Sequence, residues 1–390
     1  MPGPGDTAVL GSIAAGANAP TVRAGTPTRP EEVCDSILLN AGFAGKTLTI
    51  EGRLRVTGFT QWIVNAAIAG PGALAINDRF IWTQGAISVK NLYVHSGGQF
   101  FVRENAATLT SDNITIGASA TGELSTGSMR LGLGGAMNQY LQLGDATIIS
   151  IKPQGSLEFW QSFGSPWAGG LSGGVEIDNE GLVSRAATDD NGLPLYISTP
   201  VINLSLTSVF RIVPGSELYI NNPPGVVPSF WQKEGRTELG DDSTLDVIDA
   251  AWIEGGNFVV QSGVFGVHLN GDLVLTDEGI LVVGDGIYTT FHVTGNAEFL
   301  SGKVQMSVNG AANGECDSIY VEGGVDLRNS TTVLQVTTDN QVAPVGNQYD
   351  IITAGFGFLG DFGSFEWLGF DQQGYQRQIT PDGHTYRLVK

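Results

Sequence analysis

The sequence predicts an all-β chain, a single-stranded right-handed parallel β-helix, also called a β-solenoid. The main observation is a returning unit in which a short alternating strand, a Gly or Asn turn and another short strand follow each other. This unit occurs at 48–56, 86–94, 209–220 and 273–283. Apolar side chains take every second position, as they do in strands with one buried face. One unit cannot bury that face alone, so we expect stacked rungs.

Composition supports this fold class. The 55 Gly and 16 Pro among 390 residues are too frequent for long helices, since Gly costs backbone entropy and Pro lacks the amide donor. Repeat folds grow by adding rungs, so we expect one elongated domain despite the length. It divides into an N-terminal lead-in and cap segment at 1–35, the solenoid at 36–310, and a closing segment at 311–390.

Two stretches interrupt the rung pattern. Residues 164–174 and 221–228 are rich in Gly and Pro, which favour turns over interior strands. We expect both to be projecting loops, where binding sites are most often found.

The balance of acidic and basic residues limits the kinds of partner that the protein can bind. With 39 acidic and 19 basic residues the formal net charge is −20, which disfavours nucleic acid and anionic membrane surfaces. The acidic residues form either a solvated surface or sites for calcium, with the pairs Asp189/Asp190 and Asp241/Asp242 as candidates. We expect no other cofactor.

The sequence also bears on location. No apolar run approaches the roughly 18–20 residues that span a bilayer, so we expect no membrane insertion. The first residues lack the basic start and apolar core of a signal peptide. Of an intracellular chain and a processed exported one, we favour the second, at the cell surface or outside the cell.

Two cysteines, Cys34 and Cys316, exclude a disulfide-rich scaffold. If roughly 12 rungs of about 4.8 Å separate them, they lie on the order of 60 Å apart and cannot pair within one molecule. They are either two inert thiols or the two halves of a head-to-tail disulfide between molecules.

The closing segment is unusually aromatic. A stack of rungs ends in an open strand edge and an uncovered core. The aromatic side chains there predict either a cap over the last rung or a contact with the next subunit of a filament. They are Phe356, Phe358, Phe362, Phe365, Trp367, Phe370 and Tyr375.

The sequence contains little that supports a catalytic function. The four histidines, at positions 95, 268, 292 and 384, are far apart in sequence and form no HExxH or close metal-ligand spacing. No G-x-S-x-G motif is present. We therefore expect a protein that is not an enzyme, with surface or strand roles for the histidines.

A carbohydrate-active or carbohydrate-binding β-helix is the alternative. Acid–base pairs of the kind used by polysaccharide lyases and glycosidases could be drawn from one cluster of charged residues. Separately, tryptophan faces could stack on sugar rings or serve as core. The charged candidates are Asp178, Glu180, Arg185, Asp189 and Asp190, and the aromatic ones are Trp160, Trp167, Trp231 and Trp252.

Eight segments have the Gly-containing strand and turn pattern of a known group, namely 4–10, 65–76, 80–87, 178–183, 314–321, 346–352, 360–365 and 386–388. These segments resemble bacterial secreted β-solenoids of the autotransporter-passenger-like and adhesin-like kind. An autotransporter ends in a membrane barrel of about a dozen strands, whereas this sequence stops at Lys390. The resemblance therefore implies a free secreted solenoid or a piece of a larger surface protein.

Together these observations predict a non-enzymatic extracellular structural protein. We expect it to bind itself head-to-tail, or other surface or matrix components, with glycans as further candidate partners. A rod with complementary ends forms a contact that does not close on itself, which favours fibres.

Overall fold

The computed structural model describes residues 7–10, 20–23, 31–39, 41–94, 97–111, 113–116, 127–133, 139–143, 147–161, 169–172, 176–185, 195–221, 228–261, 263, 265–284, 288–308, 315–338, 344–369 and 375–390. Strands make up 64% of the chain and helix 1%, and the strands form a parallel β-solenoid of about 9 turns. The predicted fold class is confirmed, while the right-handed winding and the three segment boundaries stay predictions. By internal contacts the chain divides into two compact units, Met1–Thr199 and Pro200–Lys390.

The described residues of the first unit form 19 strands and one short 3-10 helix. They are β1 (Thr7–Leu10), β2 (Thr21–Val22), β3 (Glu32–Cys34), β4 (Ser36–Leu39), η1 (Ala41–Phe43), β5 (Thr47–Ile50), β6 (Arg53–Val56), β7 (Thr60–Trp62), β8 (Ala67–Ile76), β9 (Arg79–Val94), β10 (Gly98–Thr110), β11 (Asn113–Ile116), β12 (Gly127–Leu133), β13 (Gln139–Leu143), β14 (Ile148–Ile151), β15 (Gly155–Gln161), β16 (Gly169–Ser172), β17 (Glu176–Asn179), β18 (Leu182–Arg185) and β19 (Leu195–Ile197).

Strands of the first unit pair in parallel with the strands one turn away. One ladder runs from β2 and β5 through β8, β9, β10, β13 and β16 to β19. A second runs from β3 through β6, β8, β9, β11 and β14 to β17, and a third from β7 through β9, β10, β12 and β15 to β18. The predicted lead-in strand forms β1, which pairs in parallel with β4.

One of the two predicted loops is partly wrong. Within 164–174 the residues Gly169–Ser172 form β16, paired on one side with Gln139–Gln142 and on the other with Leu195–Ile197. Backbone ladders on both sides satisfy the amides and carbonyls of this strand, which outweighs the low strand preference of glycine. The rest of that stretch, and 222–227 of the other, lie outside the described residues.

In the second unit, the part of the chain that the structure describes forms 20 strands. They are β20 (Val201–Asn203), β21 (Val209–Ile212), β22 (Glu217–Ile220), β23 (Phe230–Gln232), β24 (Arg236–Leu239), β25 (Thr244–Ile253), β26 (Asn257–Val260), β27 (Val267–Leu275), β28 (Ile280–Val283), β29 (Thr290–Val293), β30 (Ala297–Phe299), β31 (Lys303–Val308), β32 (Ser318–Val321), β33 (Val325–Leu327), β34 (Val333–Thr338), β35 (Gln348–Ala354), β36 (Phe358–Gly360), β37 (Ser364–Gly369), β38 (Gln376–Ile379) and β39 (Thr385–Val389).

Three parallel sheets build the second unit. Sheet A contains β22, β25, β27, β29, β32 and β35. Sheet B contains β20, β23, the second halves of β25 and β27, then β30, β33 and β36. Sheet C contains β21, β24, β26, β28, β31, β34 and β37.

Turn length varies along the second unit. One turn of sheet A takes 24 residues from His268 to His292 but 33 from Tyr320 to Thr353. The length of one turn is therefore not constant along this unit.

The core lies between the sheets and is filled by alternate residues of each strand. In β22 and β24 every second side chain is buried, as the sequence pattern predicts. Phenylalanines from neighbouring turns meet inside: the ring centroids of Phe210 and Phe230 are 4.8 Å apart, those of Phe230 and Phe258 6.3 Å, and those of Phe258 and Phe291 6.1 Å. Aromatic contacts of this kind add to the area that these side chains bury.

Glycines occupy the chain turns that precede and follow strands of sheet C. Gly256 has φ +65°, and a Cβ there would lie 2.0 Å from the carbonyl oxygen of Gly235 in the turn before. Both the left-handed backbone and this close approach require the absence of a side chain. Gly215 has a similar φ of +69° but open space around it, so only its backbone conformation favours glycine.

Ion pairs join neighbouring turns on the outward face of sheet C. Glu238 accepts hydrogen bonds from Nε of Arg211 at 2.6 Å and from Nε of Arg236 at 2.7 Å. Burial alone would raise the pKa of Glu238, but the two arginines hold that pKa below its usual value. The carboxylate is therefore stabilised in its charged form.

The C-terminal strands change direction. β39 pairs antiparallel with β35 of sheet A and with β38. Within the described residues, β36 and β37 have a paired strand on one side only, β33 and β34 respectively. Sheet A is thus closed by an antiparallel strand. Within the described residues β37 of sheet C has no paired strand on its outer side, whereas on the outer side of β36 the backbone amide of Phe358 donates to the carbonyl oxygen of Gly383 at 3.1 Å.

Candidate functional site

The last strand of sheet C leaves part of the core uncovered. Phe365 and Trp367 of β37 continue the inward columns of Leu334 and Val336. The two residues of β34 are fully buried, but Phe365 and Trp367 are only half-buried. The loss of cover follows from the missing strand on the outer side of β37.

These two side chains belong to a group of three aromatic residues and one lysine, which we call the end cluster. Its members are Phe365, Trp367, Tyr375 and Lys390. The ring centroids of Phe365 and Trp367 are 4.8 Å apart, and those of Trp367 and Tyr375 4.3 Å. Nζ of Lys390 lies 4.5 Å from the Tyr375 ring centroid, close enough for a cation–π contact. The end cluster is an amphipathic surface at the open end of sheet C.

A different set of residues covers the core beside it. Tyr386 of β39 is buried and contacts Phe358 and Phe362, with ring centroids 6.0 and 5.3 Å away. Its hydroxyl donates to Oδ1 of Asp361 at 2.8 Å. Burial first, and then Asp361, raise the pKa of Tyr386 well above its usual value. Tyr386 was not among the predicted cap residues, although its alternation with Leu388 in the last strand is a signal of burial.

The predicted aromatic cap is not confirmed. Of the six predicted residues that are described, Phe362 is buried and Phe356 is 86% exposed. Phe358, Phe365, Trp367 and Tyr375 are half-buried, and Phe370 lies outside the described residues. Aromatic content alone did not reveal which side chains point into the core.

Both cysteines are free thiols, and both are buried. Burial first, and then the charge of Asp35, raise the pKa of Cys34 to about 11. Burial, followed by Asp317 and Asp350, raises the pKa of Cys316 to about 12. A thiol of this kind is neutral near pH 7 and shielded from solvent, which disfavours the disulfide between molecules; that disulfide stays a prediction.

The structure places the described residues considered for polysaccharide cleavage on two different strands. Arg185, in β18, is buried, and burial lowers its pKa to about 10. Asp178 in β17 and Glu180, which directly follows that strand, are half-buried, and Glu180 Oε1 is 2.5 Å from Nζ of Lys152. Asp189 and Asp190 lie outside the described residues. A shared acid–base pair stays a prediction.

Calcium also finds no site in the described part of the chain. Asp241 Oδ1 accepts a hydrogen bond from the backbone amide of Phe265 at 3.1 Å. No group of three or more His, Cys, Asp or Glu side chains there could hold a metal ion. Calcium binding stays a prediction.

Two of the four candidate tryptophans are neighbours on the outside of sheet B. Trp231 and Trp252 occupy matching positions on adjacent turns. Trp252 is 36% exposed, and Nζ of Lys233 lies 3.9 Å from the Trp231 ring centroid. The side chains of Trp160 and Trp167 lie outside the described part. The pair forms an outward aromatic surface.

Two histidines that are distant in sequence are neighbours on sheet A. His268 and His292 are register partners, and their ring centroids are 5.2 Å apart. The short spacing in sequence that indicates many metal sites does not reveal this pair, because the 24 residues from His268 to His292 correspond to one turn. His384, directly before β39, is exposed with Nδ1 2.8 Å from the carbonyl oxygen of Ala354, and His95 lies outside the described residues.

Comparison with known proteins adds no family: the chain matches no protein-family model and no curated protein sequence. Within the residues described, no helix combines the length and the apolar character needed to cross a bilayer. The resemblance to autotransporter-like and adhesin-like solenoids stays a prediction.

Proposed function

We propose that this chain is a non-enzymatic structural protein of a cell surface or extracellular matrix, and that copies of it join end to end into fibres. The observation that carries the proposal is the open end of sheets B and C. There, within the described residues, β37 has no paired strand on its outer side, the outer side of β36 is partly covered by the backbone of Gly383, and the end cluster is half-buried. The adhesin-like resemblance of the sequence agrees with this role.

Two forces would act in such a joint. An unpaired strand edge presents amides and carbonyls that can pair with a strand of another chain. Covering the end cluster would also remove apolar surface from water, at about 25 cal/mol for each Å². Both terms favour association through this end.

Charge opposes the same association. Each chain carries a formal net charge of −20, so two copies repel each other at low ionic strength. At 0.15 M salt the Debye length is about 8 Å, and distant charges are largely screened. We therefore expect assembly to increase with salt concentration.

The test is negative-stain electron microscopy with sedimentation velocity, at low and physiological salt and with and without calcium or reductant. We expect filaments in the wild type. The double variant Phe356→Lys/Leu368→Lys places two cations at the open end, where Phe356 is 86% and Leu368 45% exposed, and should remove the filaments.

Leu206→Lys is the matched control, because Leu206 is 84% exposed and lies at the other end of the second unit, between β20 and β21. It should assemble like the wild type. If the wild type stays monomeric under every condition, or if the control loses filaments as fully as the end variant, the proposal is wrong.

A second function, glycan binding, is favoured by the Trp231 and Trp252 pair. Adjacent aromatic faces about 4.8 Å apart along a solenoid offer stacking surfaces to successive pyranose rings. We expect Trp252→Ala to reduce retention on an insoluble-polysaccharide affinity gel, while Phe265→Ala, at a 74% exposed residue, should not. Equal retention of all three proteins on every polysaccharide would contradict glycan binding at this pair.

A further inference from the structure

Sheet A carries a short column of ring side chains on its outward face. His268, His292 and Tyr320 are successive register partners on β27, β29 and β32. The His292 and Tyr320 ring centroids are 4.9 Å apart. The two imidazoles are therefore held next to each other by the backbone ladder and do not depend on a loop.

The separation of the two imidazoles suits a shared metal ion. Their ring centroids are 5.2 Å apart and their planes meet at 61°. A metal bound at about 2.0–2.1 Å from each of two nitrogens needs those nitrogens roughly 3 Å apart. Ring centroids 5.2 Å apart allow that spacing for nitrogens on the facing sides of the two rings.

Neighbouring groups prepare His292 for this role. Oε1 of Glu322 lies 3.1 Å from Nε2 of His292, although the two atoms do not have hydrogen-bond geometry. Nε2 is buried on that side, which leaves Nδ1 as the ring nitrogen to bind metal. Tyr320 packs against the His292 ring from the following turn, which limits the rotation of that ring.

We infer that His268 and His292 form a binding site for a divalent late-transition-metal ion, with Cu²⁺ bound more tightly than Ni²⁺ or Zn²⁺. The protein supplies two nitrogens, and water completes the coordination. Mixed nitrogen and oxygen ligation of this kind suits Cu²⁺ and Ni²⁺, and the stability order of divalent ions places Cu²⁺ first. The net charge of −20 attracts cations to the surface.

The site differs from the calcium sites considered from the sequence. Imidazole suits zinc, copper and nickel, whereas calcium and magnesium take oxygen ligands. It does not depend on assembly into fibres, since all the residues involved lie within one chain.

The experiment is isothermal titration of the full chain with CuCl₂, combined with electron paramagnetic resonance at one equivalent of Cu²⁺. The wild type should show a signal with two nitrogen ligands. Either His268→Asn or His292→Asn should lower the affinity of this site at least about 10-fold and reduce the signal to one nitrogen. His384→Asn is the control and should match the wild type.

A milder substitution separates loss of the metal site from misfolding of the protein. Glu322→Gln keeps both imidazoles and removes only the carboxylate charge 3.1 Å from Nε2 of His292, so it should weaken Cu²⁺ binding less than either histidine variant. Circular dichroism must show unchanged strand content in each variant. If His268→Asn and His292→Asn bind Cu²⁺ with wild-type affinity and nitrogen count, or if His384→Asn alone loses the site, the inference is overturned.

Discussion

Among the core residues of the second unit, Phe230 is the one whose truncation we expect to lower the free energy of unfolding most. It is fully buried in β23, between Phe210 at 4.8 Å and Phe258 at 6.3 Å between ring centroids. Its register partners are Val201 and Ala251. These small side chains cannot fill the space that a missing ring would leave.

Phe230→Ala should lower the free energy of unfolding by about 3–5 kcal/mol, the range for truncating a buried phenylalanine. The upper half applies here, because two aromatic contacts of about 0.5–1.5 kcal/mol each are lost as part of that cost. Phe230→Leu refills most of the space and should cost at most about 2 kcal/mol.

Urea unfolding followed by tryptophan fluorescence measures these changes, because Trp231 adjoins the substituted position. The slope of the transition should stay constant, so that the midpoint reports stability. Phe265→Ala is the control, since Phe265 is exposed, and should change stability by no more than about 0.5 kcal/mol. A loss below about 1 kcal/mol in Phe230→Ala, or an equal loss in the control, would refute this account of the core.

Three further predictions concern the backbone, the thiols and one carboxylate. Gly256→Ala should destabilise by about 1–3 kcal/mol in thermal melts, more than Gly215→Ala, because only the first also meets a carbonyl oxygen. The two thiols should react with a thiol reagent at pH 8 only after unfolding, as measured by absorbance; rapid reaction of the native protein would contradict their burial. Because the folded-state pKa of Glu238 is lowered, its stabilisation is present above its unfolded pKa and is lost as pH falls through the folded value. Glu238→Gln should therefore lower the melting temperature at pH 7 but not at pH 3, and an equal effect at both would exclude an ionic origin.

The fold could be predicted from local pattern alone. At 48–56 and 209–220 the alternation and the turn residues coincide with pairs of observed strands. Such a pattern extends over only about ten residues and depends on the two-residue period of a strand. Gly169–Ser172 escaped it, because its strand is fixed by partners one turn away and not by its own side chains.

The candidate sites could not be predicted in the same way. His268 meets His292 because one turn between them takes 24 residues, while the next turns are longer. Turn length depends on loops whose size no short motif records. Phe365 and Trp367 likewise count as aromatic residues in the sequence, but their partial exposure depends on where the strand ladder stops.

The antiparallel strand β39 makes the three sides of the open end unequal. In the proposed fibre the outer side of β37 would accept a continuing strand, whereas sheet A is occupied by a strand of opposite direction and β36 is bonded to the backbone of Gly383. A three-sided prism with equal edges would allow a neighbour to attach in several rotations about the long axis of this unit. Because the three sides differ, a single angular setting aligns a partner with the edge of β37, so in such a fibre β39 also limits how a neighbour is oriented.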